Sequence, residues 1–494
     1  MFPSLALAAA IAGWQPAGIK PATTTLSEVL AANAAASGKP DPAFARRRER
    51  WTYANGDRRF PVDVAVRDED MRATVHLGAA NYAAGRHDGT RWRADGNGIA
   101  HGLFADQQGD AVDRLPQSYV SFDPANCTLA GETGGPNPRW VIADLPRGEP
   151  PEWFYVDEAS GLIVSEVARE GSRVTTIDFD QFTRFDGAVR PRHWHVSDGA
   201  RAHDLEVTVD DVEPAAVTAT DVALPSERRV FAPPASASEA VVLPARFTLG
   251  RIEVEASIAG RRRWLVLDTG TASITLDPSV TGAFGPVLEH ATIPTMSIGP
   301  LTLDNASVLT IPIFAGRLAG ILGYDFFFGH VVRIDYLHER VEVLSHAAAA
   351  PVFADAATTV VPANVERGGV PLIGVELGPI AIETFAVDTG SPNLNILSAF
   401  AQRYPQEIAT RWTPLGRSYT ARYLEGSIVL EPHRIARFAI GPYHFDDMPV
   451  GVEVPGALRD QLTAIPFDGI IGTDILSTFD LYFDYDNARI GIRC

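Results

Sequence analysis

The sequence predicts a mainly β protein in which an antiparallel β domain is followed by two copies of a second β unit. Four observations support this fold class. The 494 residues exceed what one hydrophobic core usually organises. Residues 51–222 alternate between polar and apolar positions and contain regular turn signals, and the sequence beyond residue 240 repeats itself. A composition of 46% hydrophobic and 21% charged residues is that of a globular protein.

The first 24 residues are predicted to be an export signal. Residues 1–14 form an apolar run that is too short to span a bilayer, and Pro- and Thr-rich sequence follows it. The run resembles the apolar core of a secretory signal, although only the α-amino group supplies positive charge before it. We therefore expect an exported bacterial protein, periplasmic or secreted. No other segment is long enough for a membrane helix, so no integral membrane segment is expected.

Residues 25–230 are predicted to form the antiparallel β domain. Residues 27–37 carry apolar side chains at helical spacing and should form a short helix, and the strands beyond residue 51 are separated by Asp-Gly turns. The region resembles the β half-barrel of LolA-like lipoprotein carriers in the segments FYVDEASGLIVSEVAREGSRVTTIDFDQF and DGAVRPRHWHVSDG. That resemblance implies a curved sheet with an apolar concave face for a ligand or a partner. The alternative is a plain β domain that shields or positions the rest of the chain.

Residues 231–240 are predicted to be a linker between this domain and the repeats. The segment is rich in Pro, Ala and Ser, and such a composition has little to bury and stays extended.

Residues 241–350 and 351–494 are predicted to be two copies of one unit, because the same motifs recur in the same order. Each copy has an apolar run that ends in Asp-Thr-Gly, at Asp268 in the first and at Asp388 in the second. The downstream motifs match in pairs: 297–300 with 439–442, 320–325 with 469–474, and 335–336 with 484–485. A single Asp-Thr-Gly arises often by chance, whereas two with the same ordered context indicate a duplicated domain.

These motifs are similar to those of the pepsin and retropepsin superfamily, and the chain resembles bacterial retropepsin-like aspartyl proteases with two fused lobes. The resemblance covers residues 241–494. It implies a bilobal domain with a central cleft and the activity of an aspartic-type endopeptidase. It further implies that Asp268 and Asp388 are the paired catalytic aspartates, and that Thr269 and Thr389 form interlocking hydrogen bonds between the lobes.

The residues themselves support the same chemistry. Gly270 and Gly390 permit a turn that brings backbone N–H groups to a carboxylate, and Thr271 and Ser391 place a hydroxyl beside it. Two carboxyl groups about 3 Å apart share one proton, so one can activate water while the other hydrogen-bonds the substrate carbonyl. This chemistry needs no metal or cofactor, and none is expected.

Two further interpretations concern residues outside the predicted catalytic loops. Asp325 and Asp474 precede apolar residues and are expected to be structural helix N-caps. His193 and His195 share one side of a strand, but without a third nearby ligand a surface strand is favoured over a metal site.

The second copy is longer than the first between its Asp-Thr-Gly and the next repeated motif. The additional residues lie within 406–431, the interval in which flaps over the cleft arise in this family. We therefore expect the second lobe to supply the substrate-binding flap, with Tyr419, Tyr423 and Gly426 near its tip. Pepsin-like enzymes take their flap from the first lobe and retropepsin dimers have two, so this arrangement departs from both.

Charge and chain organisation limit the partners. A formal net charge of −19 argues against nucleic acid, and a peptide or protein substrate is expected. Fused lobes need no second chain, so a monomer is expected. Two alternatives remain: a non-catalytic protein that binds a peptide or lipoprotein, and a zymogen whose N-terminal region blocks the cleft until the linker near Pro233 and Pro234 is cut.

Overall fold

The computed structural model describes residues 15–77, 81–102, 122, 124–144, 152–170, 173–185, 187–199, 204–232, 240–248, 250–281, 290–311, 317–366, 369–423, 426–454 and 467–494. The chain divides into two compact units. The first lies within the N-terminal half and ends at Leu224. The second comprises Pro225–Cys494 together with an upstream segment, Ala94–Gly102. Strands dominate both units, which confirms the prediction of a mainly β chain.

The N-terminal half contributes sixteen strands among the described residues, of which β7 falls in the second unit. The strands are β1 (Ile19–Lys20), β2 (Arg46–Asn55), β3 (Arg58–Arg67), β4 (Asp70–His76), β5 (Asn81–His87), β6 (Thr90–Ala94), β7 (Ala100–Gly102), β8 (Cys127–Thr133), β9 (Arg139–Asp144), β10 (Glu152–Asp157), β11 (Ile163–Glu170), β12 (Arg173–Asp180), β13 (Thr183–Arg184), β14 (Val189–Arg190), β15 (His193–Ser197) and β16 (Leu205–Pro214). Two helices, α1 (Leu26–Ser37) and α2 (Ala219–Val222), and a 3₁₀ turn (Pro42–Ala45) accompany them.

The first unit is an antiparallel sheet in the order β1-β8-β9-β10-β11-β12-β15-β16-β2-β3-β4-β5-β6. Most neighbours in the sheet are also neighbours in the chain, as the Asp-Gly turns predicted. The predicted helix is present as α1 and begins at a capping box formed by Thr25 and Glu28. Its buried Val29 packs with Ile142 and Phe154, so the helix covers apolar side chains of the sheet.

The second unit contains β17 to β37 in the described residues. These strands are β17 (Val241–Val242), β18 (Ala245–Thr248), β19 (Arg251–Ile258), β20 (Arg261–Leu267), β21 (Thr275–Leu276), β22 (His290–Ile298), β23 (Leu301–Thr310), β24 (Gly320–Leu322), β25 (Val331–Asp335), β26 (Arg340–Leu344), β27 (Thr359–Asn364), β28 (Leu372–Leu377), β29 (Ile380–Val387), β30 (Asn395–Ile396), β31 (Thr413–Pro414), β32 (Tyr419–Tyr423), β33 (Gly426–Ile440), β34 (Tyr443–Glu453), β35 (Gly469–Ile471), β36 (Asp480–Asp484) and β37 (Arg489–Arg493). The helices are α3 (Pro278–Thr281), α4 (His346–Ala354), α5 (Ser398–Arg403), α6 (Pro405–Arg411) and α7 (Thr473–Leu476), with 3₁₀ turns at Tyr324–Phe327 and Tyr485–Asn487.

The sequence repeat is also a repeat of strand pairing. In the first copy β20 runs parallel to β24, which pairs antiparallel with β21, and β21 runs parallel to β23. In the second copy β29, β35, β30 and β34 are paired in the same way. Each Asp-Thr-Gly follows the buried end of the first of these strands, at Leu267 and at Val387. The duplication inferred from the motifs therefore has a structural counterpart.

The two copies share one antiparallel sheet. Strand β25 of the first copy pairs with β36 of the second, and β26 and β37 extend the sheet on either side. Arg333 on β25 binds both carboxylate oxygens of Asp480 on β36, at 2.9 and 2.8 Å, and also binds Glu342 at 2.7 Å. Such a bidentate guanidinium–carboxylate pair fixes the register between the copies as well as holding them together.

Among the described residues, no helix combines the length and the apolar character that crossing a membrane requires. Cys127 is buried, Cys494 is exposed, and no disulfide joins them. Residues 1–14 of the predicted signal, and residues 233–239 of the predicted linker, lie outside the described residues.

The first residues of the predicted linker pack against the first copy. Phe231 is fully buried in the hydrophobic core of the second unit, and its ring meets that of Phe326 edge to face, with the centroids 5.5 Å apart. Ala232 forms an antiparallel bridge with Thr302 on β23. The chain is therefore held at this point by a buried aromatic side chain and by a backbone hydrogen bond.

Replacing Phe231 with alanine should lower the free energy of unfolding of the second unit by about 3–5 kcal/mol, because it leaves a cavity in a closed core. Denaturant unfolding of the full chain measures this. Leu337→Ala is the control, since Leu337 is 85% exposed and should change the unfolding free energy by less than about 0.5 kcal/mol. Equal effects of the two substitutions would show that residue 231 behaves as part of a linker.

Candidate active site

The two Asp-Thr-Gly loops occupy equivalent positions in the two copies. The Asp268 N–H donates to the Leu322 carbonyl at 3.0 Å, and the Asp388 N–H donates to the Ile471 carbonyl at 3.0 Å. Each loop is thereby attached to a strand of its own copy, β24 in the first and β35 in the second, each of which ends in two apolar residues and is followed by a glycine. These backbone hydrogen bonds hold β24 and β35 beside the two loops.

The structure brings the carboxyl groups of Asp268 and Asp388 together. A hydrogen bond joins the two side chains. A methyl group placed on Gly270 would lie only 2.6 Å from the nearest oxygen of Asp388, and one on Gly390 would lie even closer to Asp268. Each glycine of one loop therefore leaves the space that the aspartate of the other loop occupies, which explains the need for glycine at both positions.

Thr269 and Thr389 interlock at the base of the site, as the resemblance implied. The N–H of each threonine donates to the hydroxyl oxygen of the other, at 3.1 and 3.0 Å. The Thr269 hydroxyl donates to the Val387 carbonyl at 2.6 Å, and the Thr389 hydroxyl donates to the Leu267 carbonyl at 2.9 Å. Both threonines are fully buried, so these four hydrogen bonds connect the copies in a place that water does not reach.

The donors around the two aspartates are distributed differently. Asp268 receives the Gly270 N–H on Oδ1 at 2.8 Å and the Thr271 hydroxyl on Oδ2 at 3.1 Å. Asp388 receives the N–H groups of Gly390 and Ser391 on Oδ1 alone, at 2.8 and 3.0 Å.

The expected hydroxyl donation from Ser391 to Asp388 is absent. The Ser391 hydroxyl donates instead to the Asn393 carbonyl at 3.3 Å, which is a local side-chain-to-backbone bond of the kind serine readily makes. Oδ2 of Asp388 is therefore the carboxyl oxygen with room for a proton.

Burial dominates the electrostatics of the pair. It raises the pKa of Asp268, while the hydrogen bond from Asp388 and the Gly270 N–H oppose that rise. Burial also raises the pKa of Asp388 well above its ordinary value, and the neighbouring charge of Asp268 raises it further. The arrangement favours an ionised Asp268 that accepts a hydrogen bond from a protonated Asp388, in agreement with the distribution of donors.

The aspartates expected to cap helices lie elsewhere in the helices. The N-cap positions are held by Gly323 and Gly472, in extended conformations, and Asp325 and Asp474 lie in the first turn. The glycine that ends each apolar strand takes the cap position, so the N-cap prediction is wrong by two residues. Oδ2 of Asp474 accepts the N–H of Leu394 at 2.9 Å, and the role of this residue is structural, as expected.

Buried tyrosines near the pair were not singled out from the sequence. Tyr485 is 2% exposed, and its ring packs against Tyr324 and Phe327 with centroid distances of 5.2 and 5.1 Å. Burial raises the pKa of Tyr485 well above its ordinary value, and the charges of Asp268 and Asp388 add to that rise. The phenol therefore stays neutral. The repeated Asp-Tyr dipeptide was the signal that could have identified it.

The predicted flap corresponds to a hairpin in the second copy. Strands β32 and β33 pair antiparallel from Tyr419 opposite Leu430 to Tyr423 opposite Gly426. The side chain of Tyr423, and residues 424–425 between the strands, lie outside the described residues. Tyr419 is 40% exposed, and its hydroxyl approaches Gly451 on β34. The hairpin exists where the sequence predicted it, and its role as a flap stays a prediction.

The histidine pair of the first unit is engaged by acidic side chains. His193 lies 2.7 Å from Asp180 and 2.8 Å from Glu206 through its two ring nitrogens. His195 lies 4.0 Å from Glu206. Both ring nitrogens of His193 are thus occupied by carboxylates, which agrees with the interpretation of a surface strand.

Comparison with known proteins gives only distant likenesses. No protein-family model and no curated sequence matches the chain. A LolA superfamily protein from Nitrosomonas europaea is 12% identical, with a TM-score of 0.31 over 41% of this chain and 98% of that one. A putative outer membrane lipoprotein-sorting protein domain from Vibrio parahaemolyticus is 9% identical, with a TM-score of 0.29 over 38% and 90%.

An aspartic proteinase from Irpex lacteus is 14% identical, with a TM-score of 0.32 over 52% of this chain and 97% of that one. The three structures come from the two classes that the sequence resembles. Similarity at this level does not assign a family, and the case for a function rests on the site itself.

The threonine interlock generates a stability prediction. Thr269→Val removes the hydroxyl and leaves the buried Thr389 N–H and Val387 carbonyl without their partners, so the free energy of unfolding should fall by roughly 2–5 kcal/mol. Thr269→Ser keeps the hydroxyl and should cost less than about 1.5 kcal/mol. Chemical denaturation followed by tryptophan fluorescence provides the measurement.

The exposed Thr302 on β23 offers a matched control. Thr302→Val should leave the unfolding free energy within about 0.5 kcal/mol of the wild-type value. A Thr269→Val protein as stable as the Thr269→Ser protein would show that the interlock contributes nothing.

Proposed function

We propose that the second unit is an aspartic endopeptidase that hydrolyses peptide bonds with water activated between Asp268 and Asp388. The observation that carries this proposal is the direct hydrogen bond between two partly buried carboxyl groups from equivalent loops. Holding two acids together costs free energy unless they share a proton, and a shared proton gives one site both a base and an acid. Partial exposure of both residues leaves the pair accessible to a water molecule.

The donors around the pair suggest which residue takes which role. Asp268 receives donors on both oxygens, which stabilises its ionised form, and it acts as the base that removes a proton from water. The resulting hydroxide attacks the peptide carbonyl carbon. Asp388 carries the proton and hydrogen-bonds the carbonyl oxygen as negative charge develops there. Collapse of the tetrahedral intermediate breaks the C–N bond, and a proton passes to the leaving amine.

The remaining contacts of the site supply rigidity for this chemistry. The interlocked Thr269 and Thr389 hold the two loops at a fixed separation, so the carboxyl groups need no reorganisation when substrate arrives. We propose that the hairpin of β32 and β33 covers the bound substrate. The substrate itself is a peptide or a protein. Export of the protein remains part of this proposal, on the apolar N-terminal run.

Conversion of either aspartate to asparagine should abolish cleavage. Asp268→Asn and Asp388→Asn keep the side-chain shape but remove the base or the acid, so the cleavage rate should fall by at least about a hundredfold. Initial rates on a quenched-fluorescence peptide library, with casein as a protein substrate, measure the effect between pH 3 and 7. Asp446→Asn, an exposed site on β34, is the control and should cleave at the wild-type rate.

Cleavage by both variants at the rate of the Asp446→Asn control would rule out the pair as the catalytic centre. A wild-type protein that binds peptides without cleaving them would favour the alternative of a binding protein built on the same lobes.

The raised pKa values of the pair predict acidic activity. The rate should fall at low pH, where both carboxyl groups are protonated and no base remains. It should fall again as pH rises and the last shared proton is lost. Because burial and the second charge raise the pKa of Asp388, the upper limb should lie above the ordinary aspartate range near 4. A rate that still increases up to pH 9 would contradict this assignment.

A further inference from the structure

Part of the second unit comes from far upstream in the chain. Residues Ala94–Gly102 cluster with Pro225–Cys494 rather than with the sheet that precedes them in sequence. Ile99 is 2% exposed and belongs to the hydrophobic core of this unit, and Asn97 is 1% exposed. The Gly102 N–H donates to the Glu366 carbonyl. The segment is therefore packed into the second unit along its length.

The buried Asn97 side chain is fully engaged with the first copy. Its amide nitrogen donates to the Ser307 carbonyl at 2.8 Å and to Oδ2 of Asp325 at 3.2 Å. Its amide oxygen accepts the Ser307 N–H at 2.8 Å. The Asn97 amide thus donates to the carbonyl and accepts from the N–H of the same residue of β23, as the backbone of a neighbouring strand would. It can do so only in one position and orientation.

Asp95 completes this cluster. Its Oδ1 accepts the N–H groups of Asn97 and Ile99, at 2.8 and 3.0 Å, which shapes the turn that presents Asn97. A hydrogen bond also joins its carboxyl group to that of Asp325. Two carboxyl groups can share such a bond only when one of them is protonated. The second unit thus contains a second carboxyl pair besides that of Asp268 and Asp388.

Hydrogen bonds connect the cluster of Asp95, Asn97 and Asp325 to the candidate catalytic loop. Asp325 accepts a hydrogen bond from the Ile274 N–H, three residues beyond Thr271. The preceding residue, Tyr324, donates its N–H to the Thr271 carbonyl at 2.7 Å. Any displacement of Asp325 therefore acts on both ends of the segment from Thr271 to Ile274, which follows the catalytic aspartate directly.

The second copy achieves the same attachment without an upstream segment. Asp474 is equivalent to Asp325, and its carboxylate accepts the Leu394 N–H as that of Asp325 accepts the Ile274 N–H. Asp474 is exposed, whereas Asp325 is 3% exposed beneath Asn97. The buried cluster is thus a feature of the first copy, where it adds to an attachment that the repeat already contains.

We propose that Asp95 and Asn97 are positioning residues that complete the first lobe of the peptidase, by fastening residues 94–102 onto Asp325 and so fixing the loop that carries Asp268. This inference rests on the proposed function. It assigns the upstream segment to the active enzyme, in contrast to a pro-segment that must be removed.

The second carboxyl pair makes this attachment dependent on pH. Burial raises the pKa of Asp95 to about 6, while the backbone N–H groups of Ile99 and Asn97, the bond to Asp325 and the charge of Arg229 oppose the rise. Burial and the charge of Asp95 raise the pKa of Asp325 well above its ordinary value. Tyr324, whose own pKa burial raises, also faces Asp95 and stays neutral.

A carboxyl group whose pKa is raised in the folded protein makes the free energy of unfolding decrease as pH rises. The folded protein holds the proton of Asp95 itself more tightly than the unfolded chain does, because burial raises the pKa of that carboxyl group, while the proton shared in the pair stays on Asp325. The stability that this proton contributes is fully present below the ordinary aspartate pKa and is lost as pH rises through about 6.

Two isosteric substitutions in the full-length protein test the proposal. Asn97→Asp keeps the oxygen that accepts from Ser307, but it loses the nitrogen that donates to Asp325 and to the Ser307 carbonyl, and it adds a third acid. At pH 7, hydrogen exchange in residues 268–276 should rise about tenfold or more, while exchange in the equivalent residues 388–396 stays at the wild-type rate. The turnover number should fall roughly tenfold with KM changed less than about twofold, and pH 4.5 should restore much of both because the new acid is then protonated.

Asp95→Asn keeps the oxygen that shapes the turn but cannot ionise. The unfolding temperature of the wild type should fall between pH 5 and pH 7.5. The unfolding temperature of this variant should fall by several degrees less over the same interval. Asn305→Asp, exposed on β23, and Asp446→Asn are the controls with the same chemical changes and should match the wild type. Loop exchange in Asn97→Asp equal to that in Asn305→Asp at every pH would overturn the positioning role.

The Asp268–Asp388 pair contributes equally to both proteins, so an Asp95→Asn protein whose unfolding temperature falls as steeply with pH as that of the wild type would overturn the Asp95–Asp325 pair. The exchange and unfolding measurements need no turnover. They decide the positioning proposal even for a protein that cleaves no peptide, whereas inactivity of the wild type with intact loop protection would count against the proposed function alone.

Discussion

The second unit depends on the close approach of Asp268 and Asp388, because two carboxyl groups at hydrogen-bonding distance repel each other unless they share a proton. Folding alone would not select such a contact. It persists because glycine at positions 270 and 390 leaves room for it, and because four hydrogen bonds from Thr269 and Thr389 bind the loops together at their buried ends. The shared sheet and the Arg333–Asp480 pair then fix the copies over a longer distance. Many ordinary interactions around the pair thus hold the two carboxyl groups together.

The sequence was most informative where chemistry is local and duplicated. The Asp-Thr-Gly loops, the apolar-apolar-Gly strands and the hairpin near Tyr419 could be located because each motif determines a few residues of backbone and the second copy supports the first. Finer detail depended on single atoms. The Ser391 hydroxyl binds the Asn393 carbonyl rather than Asp388, and glycine displaced Asp325 and Asp474 from the helix caps. Neither outcome is encoded in residue type or spacing alone.

The upstream segment shows a different limit of sequence reasoning. Asn97 and Ser307 are 210 residues apart, and nothing near Asn97 in the sequence distinguishes it from the Asp-Gly turns of the preceding domain. Phe231 was assigned to a linker for a related reason, since its neighbours are Pro, Ala and Ser and only the fully buried ring shows that it belongs to the core. Long-range burial of one side chain is a property of the assembled fold, and a periodic pattern cannot report it.

The difference between Asp325 and Asp474 follows from duplication itself. Once a unit exists in two copies that hold each other, the attachment of one loop can change while the other preserves the common geometry. In the second copy an exposed aspartate that accepts the backbone N–H groups of Leu394 and Ile475 suffices. In the first copy the equivalent aspartate is buried, and burial of an ionisable group is tolerated only with partners. Asn97 and the proton shared with Asp95 are those partners. Removing everything before residue 239 would therefore leave Asp325 and the Ser307 backbone without these partners, so the unit defined by the sequence repeat alone lacks side chains that belong to its interior.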